Sequence, residues 1–292
     1  MPLAQQFPEI TQRNHPLAPF THLKIGGPAE FLIQPRTVDE LNAVLAACKR
    51  DGVRVRMLGG GYNLLVPDDP VGGAVIRLVA PAFTFLQRDG KRVTAGGGGQ
   101  LFDLIAYAVR NGLGGLETLV GIRGTVGGSV RCNVGDRSGE IGQTVRAVTV
   151  LTDAGNVQTR TRDELTFGDH ETDIDEPVIL SVEFDLEVEQ PGTVLKRLRK
   201  AWVQRKATEP LSFQAGVRLF RNPPGQTAAS LIDRSQMTKA KVGAAELSER
   251  NSNYAVAHPG TTARDVAQLA DLVRAKVKER TGVLLERELR AW

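Results

Sequence analysis

Residues 112–135, GLGGLETLVGIRGTVGGSVRCNVG, constrain the fold of this 292-residue chain more than any other stretch. Glycines stand at 112, 114, 115, 121, 124, 127, 128 and 135. Glycine tolerates positive φ and lets a second group approach the backbone closely. In a flexible linker such density comes with Ser, Pro and charge. Here it comes with Leu113, Leu116, Leu119, Val120, Ile122, Val126 and Val130, so the segment is expected to be buried. A buried glycine-rich backbone has many N–H groups to satisfy. A phosphate-bearing ligand is one solution, because its oxygens accept from successive amides. Tight turns packed in a core are the other, and composition leaves both open.

A second cluster, Gly59-Gly60-Gly61-Tyr62-Asn63, follows a strand-like run at residues 53–58. Neither cluster is a GxGxxG that opens a helix, and no Gly-Lys-Ser/Thr of a Walker loop occurs. A nucleotide bound here is held differently from those two designs.

Composition narrows the classes. The length allows two or three domains. No run approaches the ~18 apolar residues of a membrane span. The start, MPLAQQFPEITQRNH, lacks the basic start and apolar core of a signal peptide, so a cytoplasmic location is expected. Cys48 and Cys132 are far apart, which suits a reducing compartment. With His15, His22, His170 and His258 scattered singly, no metal site is expected. The net charge of +4 suits nucleic acid or a small anionic substrate. The densest basic run, residues 196–200, falls beside Val194, Leu195, Leu198, Ala201 and Trp202 at helical spacing. It therefore reads as the wet face of an amphipathic helix. Aromatic residues are only 5%, too few for base-stacking platforms, so no nucleic-acid partner and no membrane is expected.

Along the chain, residues 1–20 read as a loosely structured arm. Residues 29–34 and 53–58 read as strands around a helix at 38–49, whose stripe is Leu41, Val44, Leu45 and Cys48. A hairpin turns at Asp89-Gly90, and a helix at 100–110 turns Leu101, Leu104, Ile105 and Ala108 inward. A second hairpin covers 145–151 and 157–161, and residues 178–188 alternate as one half-buried strand. The basic helix follows, then a short helix at 228–233. Thr262 with Asp265 forms a capping box for a helix to about residue 280, with Val266, Leu269, Val273 and Val277 inward and Gly282 at its end. The class is α+β.

Several motifs taken together carry a resemblance. Residues 21–30, THLKIGGPAE, residues 58–66, LGGGYNLLV, and residues 115–133 resemble successive motifs of the UDP-N-acetylenolpyruvoylglucosamine reductases, the MurB flavoenzymes. Arg221-Asn222-Pro223, Leu247-Ser248-Glu249 with Asn253, and Leu285-Glu286-Arg287-Glu288 resemble the C-terminal motifs, in family order. The chain lacks the family's extra tyrosine-bearing loop and resembles the shorter type. The resemblance implies a PCMH-type FAD-binding fold of two subdomains (about 21–72 and 73–187) after an arm at 1–20, then a C-terminal α+β substrate domain at 194–292. It implies FAD held by Ile25, Gly26, Gly59, Gly60, Gly61, Tyr62, Asn63, Leu64, Gly121, Gly124, Thr125, Gly127, Gly128 and Asn133. It implies substrate contacts at Arg221, Asn222 and Asn253, NADPH as co-substrate, and a monomer that reduces a nucleotide-sugar enolpyruvyl ether to UDP-N-acetylmuramate.

The chain departs from the family where the chemistry sits. Arg218 stands where the family has its proton-donating serine. His170 stands where the family has an arginine that polarises the substrate carboxylate, and Arg123 where it has proline. Tyr62 replaces a usual serine, while the third catalytic residue is retained as Glu288. The expected catalytic set is therefore Glu288, Arg218 and His170. These departures keep two other functions open: a FAD- or nucleotide-sugar-binding protein without turnover, and a flavin oxidoreductase of the same fold acting on another substrate.

Overall fold

The computed structural model describes residues 3–136, 138–208 and 216–292. They sort into two units that do not follow the chain in blocks. The first takes Met1–Arg13, Glu30–Gly60 and Gly72–Gln204, and the second takes Asn14–Ala29, Gly61–Val71 and Arg205–Trp292. The sequence pattern suggests a division along the chain. Pairing of distant segments interleaves it instead.

In the first unit, a five-stranded sheet runs in the order Val157–Thr161, Val145–Leu151, Val178–Asp185, Arg92–Gly96, Leu86–Asp89. Its neighbours are all antiparallel. The central strand alternates as its sequence demands, with Val182 and Phe184 fully buried. It stops at Asp185, short of the expected end at 188, and Glu187–Val188 pairs separately with Leu113–Gly114. Leu101, Leu104, Ile105 and Ala108 of the helix Leu101–Arg110 pack into the same core as Val126 and Val130. A second sheet has the order Thr11–Pro16, Pro28–Ile33, Val71–Ile76, Val55–Met57. The helix Val38–Arg50 lies between its second and third strands in sequence and buries Leu41, Val44 and Cys48. The expected loose arm is structured. A turn of helix at Leu3–Gln6 and the strand Thr11–Pro16 form because Leu3 and Ile10 are buried. The strand itself is mostly exposed, so it has no apolar alternation to read.

In the second unit, Gly216–Arg218, Tyr254–Ala257, Ala245–Leu247 and Lys241–Val242 form an antiparallel sheet in that order. The helices Ala228–Arg234 and Ala263–Thr281 share its core, with Leu231, Val266, Leu269, Val273 and Val277 fully buried. Thr262 and Asp265 make the expected capping box, and Gly282 closes the helix at φ +75°. Asp68 adds a cap from far away in sequence: its carboxylate accepts from the N–H groups of Ala263 (2.8 Å) and Arg264 (3.1 Å). A carboxylate there also opposes the positive end of the helix dipole. Leu64–Leu65 pairs in parallel with Arg290–Ala291.

The basic helix spans Pro191–Thr208. Of its expected inward stripe only Val194 is fully buried; Leu195 and Trp202 are 37% exposed. Arg205, a further cation of the same helix, is 9% exposed. The charges are thus not confined to one side of a clean apolar stripe.

Candidate active site

The glycine loop of the first unit is held from both ends. Near its start, Glu117 is buried, and its Oε2 accepts from the Gly115 N–H at 2.6 Å. Its Oε1 lies 2.5 Å from Nε of Arg197, whose two Nη groups fork onto Glu189. The sequence gives one clue to this clamp, a glutamate set among buried leucines.

Thr125 caps the helix Val126–Arg131, its Oγ1 accepting from Gly128 N–H at 3.3 Å. A Cβ at Gly59 would lie 2.8 Å from that same oxygen. Gly59, at the start of the second cluster, therefore meets Thr125 of the glycine loop, and glycine is required there. The Gly127 N–H donates to Gly97 O at 2.8 Å, and a Cβ at Gly127 would lie 3.0 Å from that carbonyl. The amides of Gly127 and Gly128 thus already have partners inside the protein. Gly121 (φ +89°) and Gly124 (φ +148°) leave the backbone bare where the loop turns.

Asn133, expected to touch the cofactor, is fully buried at φ +38°. Its Nδ2 donates to Glu140 (2.7 Å) and to Gly168 O (2.8 Å), and its Oδ1 accepts from Gly142 N–H (3.1 Å). Within the described residues it braces the loop. Gly168 opens the hairpin Phe167–Gly168/Glu171–Thr172, and Thr172 Oγ1 donates to Arg131 O at 3.2 Å. That hairpin carries His170 at its tip, at φ +55°, with Nε2 3.8 Å from Asp169. His170 is thereby tied to the far end of the glycine loop.

In the second unit, Thr21 Oγ1 donates to Ile25 O at 2.8 Å, and Ile25 packs on the core. A Cβ at Gly26 would lie 2.7 Å from Cβ of Val66. Gly61 sits at φ +66° against the Phe20 backbone, and the rings of His22 and Tyr62 lie 4.9 Å apart. Asn63 O accepts from Arg290 N–H, and Leu64 pairs with Arg290. Ile25, Gly26, Asn63 and Leu64 therefore carry local structure here. Gly60, the last residue of its segment of the first unit, is half-buried in a bend.

Two of the three expected catalytic residues come together in this unit. Arg218 ends the strand Gly216–Arg218. The next residue, Leu219, accepts from Glu288 N–H at 2.9 Å. Arg218 Nε then lies 3.0 Å from Oε2 of Glu288, with the side chains 24% and 15% exposed. The contact is an ion pair, and Glu288 Oε2 is a buried oxygen without a hydrogen bond among the described residues. Asn253, expected to contact substrate, is buried. It donates to Phe220 O (2.7 Å) and accepts from Phe220 N–H (3.0 Å). Asn222 Oδ1 likewise accepts from Ala228 N–H at 2.9 Å, at the start of a helix, and Arg221 N–H donates to Glu286 O at 3.0 Å.

The first-unit loop fits the diphosphate of FAD. Bare backbone at Gly121 and Gly124 permits close approach, and Gly59 could not carry a side chain beside Thr125. Among the described residues no cluster of His, Cys, Asp and Glu could hold a metal ion, and no helix is long and apolar enough to cross a membrane.

Known proteins agree with this geometry. A family profile described as the C-terminal domain of UDP-N-acetylenolpyruvoylglucosamine reductase matches residues 209–292, and one described as an FAD binding domain matches residues 29–161. A UDP-N-acetylenolpyruvoylglucosamine reductase of Rhodopirellula baltica is 33% identical over 99% of this chain and 96% of its own. That of Geobacter metallireducens is 36% identical over 95% and 92%. The crystal structure of the Thermus caldophilus reductase, MurB, superposes with a TM-score of 0.82 at 34% identity, over 95% of this chain and 97% of that one. The fold is that of MurB, a PCMH-type FAD-binding fold with a C-terminal α+β domain, and FAD is its cofactor. The chain belongs to the UDP-N-acetylenolpyruvoylglucosamine reductase family of flavin-dependent oxidoreductases.

Proposed function

We propose that this protein reduces UDP-N-acetyl-3-O-(1-carboxyvinyl)-glucosamine to UDP-N-acetylmuramate in peptidoglycan precursor synthesis, taking electrons from NADPH, as a cytoplasmic monomer without a nucleic-acid partner. Family membership supports the reaction, and the Arg218–Glu288 pair is the observation that carries the chemistry. When bound and reduced by NADPH, the flavin would supply hydride to the enolpyruvyl double bond and return to the oxidised form. Reduction places enolate-like charge beside the substrate carboxylate, and that charge needs a cation and then a proton. The ion pair with Glu288 holds Arg218 in place, and the guanidinium of Arg218 grips the carboxylate. A guanidinium is a poor proton donor, so Arg218 replaces the family's serine in position only. The proton comes from Glu288, from His170, or from water; imidazole suits transfer near neutrality.

Rapid mixing separates flavin reduction by NADPH from flavin reoxidation by the enolpyruvyl substrate. Arg218→Ala and Glu288→Gln are expected to leave the first half-reaction nearly intact. They are expected to slow the second by roughly a hundredfold or more, the scale of losing one acid–base or oxyanion group. Reoxidation of both variants at the parental rate would remove these residues from the chemistry. A parent whose flavin reduces normally and never reoxidises with this substrate would point to another substrate or to binding without turnover.

A further inference from the structure

Ser129 is a polar residue in the glycine loop whose hydroxyl lacks a partner among the described residues. It is 2% exposed, and its Oγ makes no hydrogen bond. A serine within a helix commonly turns its hydroxyl to the carbonyl four residues back. Here that carbonyl, Thr125 O, accepts from the Ser129 N–H, at 2.8 Å, and the hydroxyl does not join it. Buried hydroxyls without partners are rare and destabilising, so each one calls for a physical reason.

What lies beside the hydroxyl is Gly124. A Cβ built on Gly124 would lie 3.4 Å from Ser129 Oγ and, chain neighbours aside, within 4 Å of nothing else. Gly124 itself is half-buried, at φ +148°. The hydroxyl thus sits directly behind a bare patch of backbone. Arg123, the residue before this patch, is exposed and has no ion pair or hydrogen bond among the described residues. Where the family has proline, this chain therefore has one more backbone N–H and one more fixed cation. An unpartnered hydroxyl, an uncovered turn and an unpaired cation within seven residues all call for one kind of ligand: an anion whose oxygens accept hydrogen bonds.

We propose that Ser129 donates its hydroxyl hydrogen to the diphosphate of FAD at Gly124, and that Arg123 supplies the countercharge. This inference rests on the flavin reading above and adds two residues that the family motifs do not single out. Its energetic signature is opposite in sign for the empty and the loaded protein. Without cofactor the hydroxyl destabilises the fold; with cofactor it contributes to binding.

The test uses apoprotein stripped of flavin and titrated with FAD, followed by flavin fluorescence, alongside the melting temperature of each apoprotein. Ser129→Ala is expected to weaken FAD affinity by roughly 10- to 100-fold, as for one hydrogen bond to a charged acceptor. The same variant is expected to leave the apoprotein melting at or above the parental temperature, because an orphaned hydroxyl has gone. Arg123→Gln is expected to weaken FAD binding and to flatten its dependence on salt. Parental FAD affinity in Ser129→Ala would assign the hydroxyl to a trapped water and overturn the proposal. A lowered apoprotein melting temperature would make Ser129 structural and overturn it as well. Parental affinity and salt dependence in Arg123→Gln would remove the arginine from the site. Failure of the flavin reading looks different, because the parent itself would then take up no FAD.

Discussion

Asn253 gives both ends of its amide to one neighbour, pairing the N–H and C=O of Phe220 as a strand would. Its own backbone O accepts from Leu219 N–H at 2.9 Å, so one residue holds the segment that positions both Arg218 and Glu288. Asn253→Ala leaves two buried backbone groups unpaired, at about 1–3 kcal/mol each. Urea unfolding is expected to show a loss of about 3 kcal/mol, and parental stability would show that Phe220 finds other partners. Asn253 and Asn133 illustrate the limit of a motif. The sequence locates both in family order, yet it does not say whether an amide faces a ligand or the fold. That depends on which distant backbone groups need a partner, here Phe220 for one and Gly142 and Gly168 for the other. Arg218 and Glu288 were legible as positions. Their ion pair was not, because it needs Glu288 N–H to return to Leu219 from well down the chain.

Among the elements, those specified by neighbours in sequence were the readable ones. Thr262, Asp265 and Gly282 bound their helix as local rules require. The Asp68 cap lay beyond local rules, because it joins residues nearly two hundred positions apart. The basic helix Pro191–Thr208 misled for a related reason: Arg197 faces a buried glutamate on a distant loop, which periodicity does not reveal. That clamp gives the first unit an acid sensitivity. The hydrogen bonds from Arg197 hold the Glu189 carboxyl below its ordinary value of 4.5. A depressed carboxyl stabilises the fold above its ordinary value and loses that contribution as pH falls through the lowered one. Melting temperature is therefore expected to fall on acidification from about pH 5 to about pH 3. Arg197→Met is expected to be less stable at neutral pH, with Glu117 left buried and unpaired, and to show a shallower fall. An unchanged slope in that variant would detach the acid response from the clamp.

At the scale of the whole molecule, fold class and cofactor were legible because several motifs occur in one order along nearly the full chain. The two units were not, because their membership is decided by pairings such as Leu64–Leu65 with Arg290–Ala291. A ligand that binds only the folded state raises its stability by mass action, by about 2.7 kcal/mol at a hundredfold excess over Kd. FAD is expected to raise the melting temperature of the apoprotein, and the nucleotide-sugar substrate to raise that of the loaded protein further. A colourless protein whose melting is indifferent to added FAD would contradict the cofactor assignment. The parallel pairing of residues 64–65 with 290–291 also bears on the protein's birth at the ribosome. Segments 14–29 and 61–71 emerge early, yet the rest of their unit comes only after residue 205. At about 5–20 residues per second, the strand at Leu64 waits roughly ten to forty-five seconds for Arg290 to be made. During that interval its apolar neighbours Leu23, Leu65 and Val66 have no finished core to enter, which makes the nascent chain a natural client for chaperones.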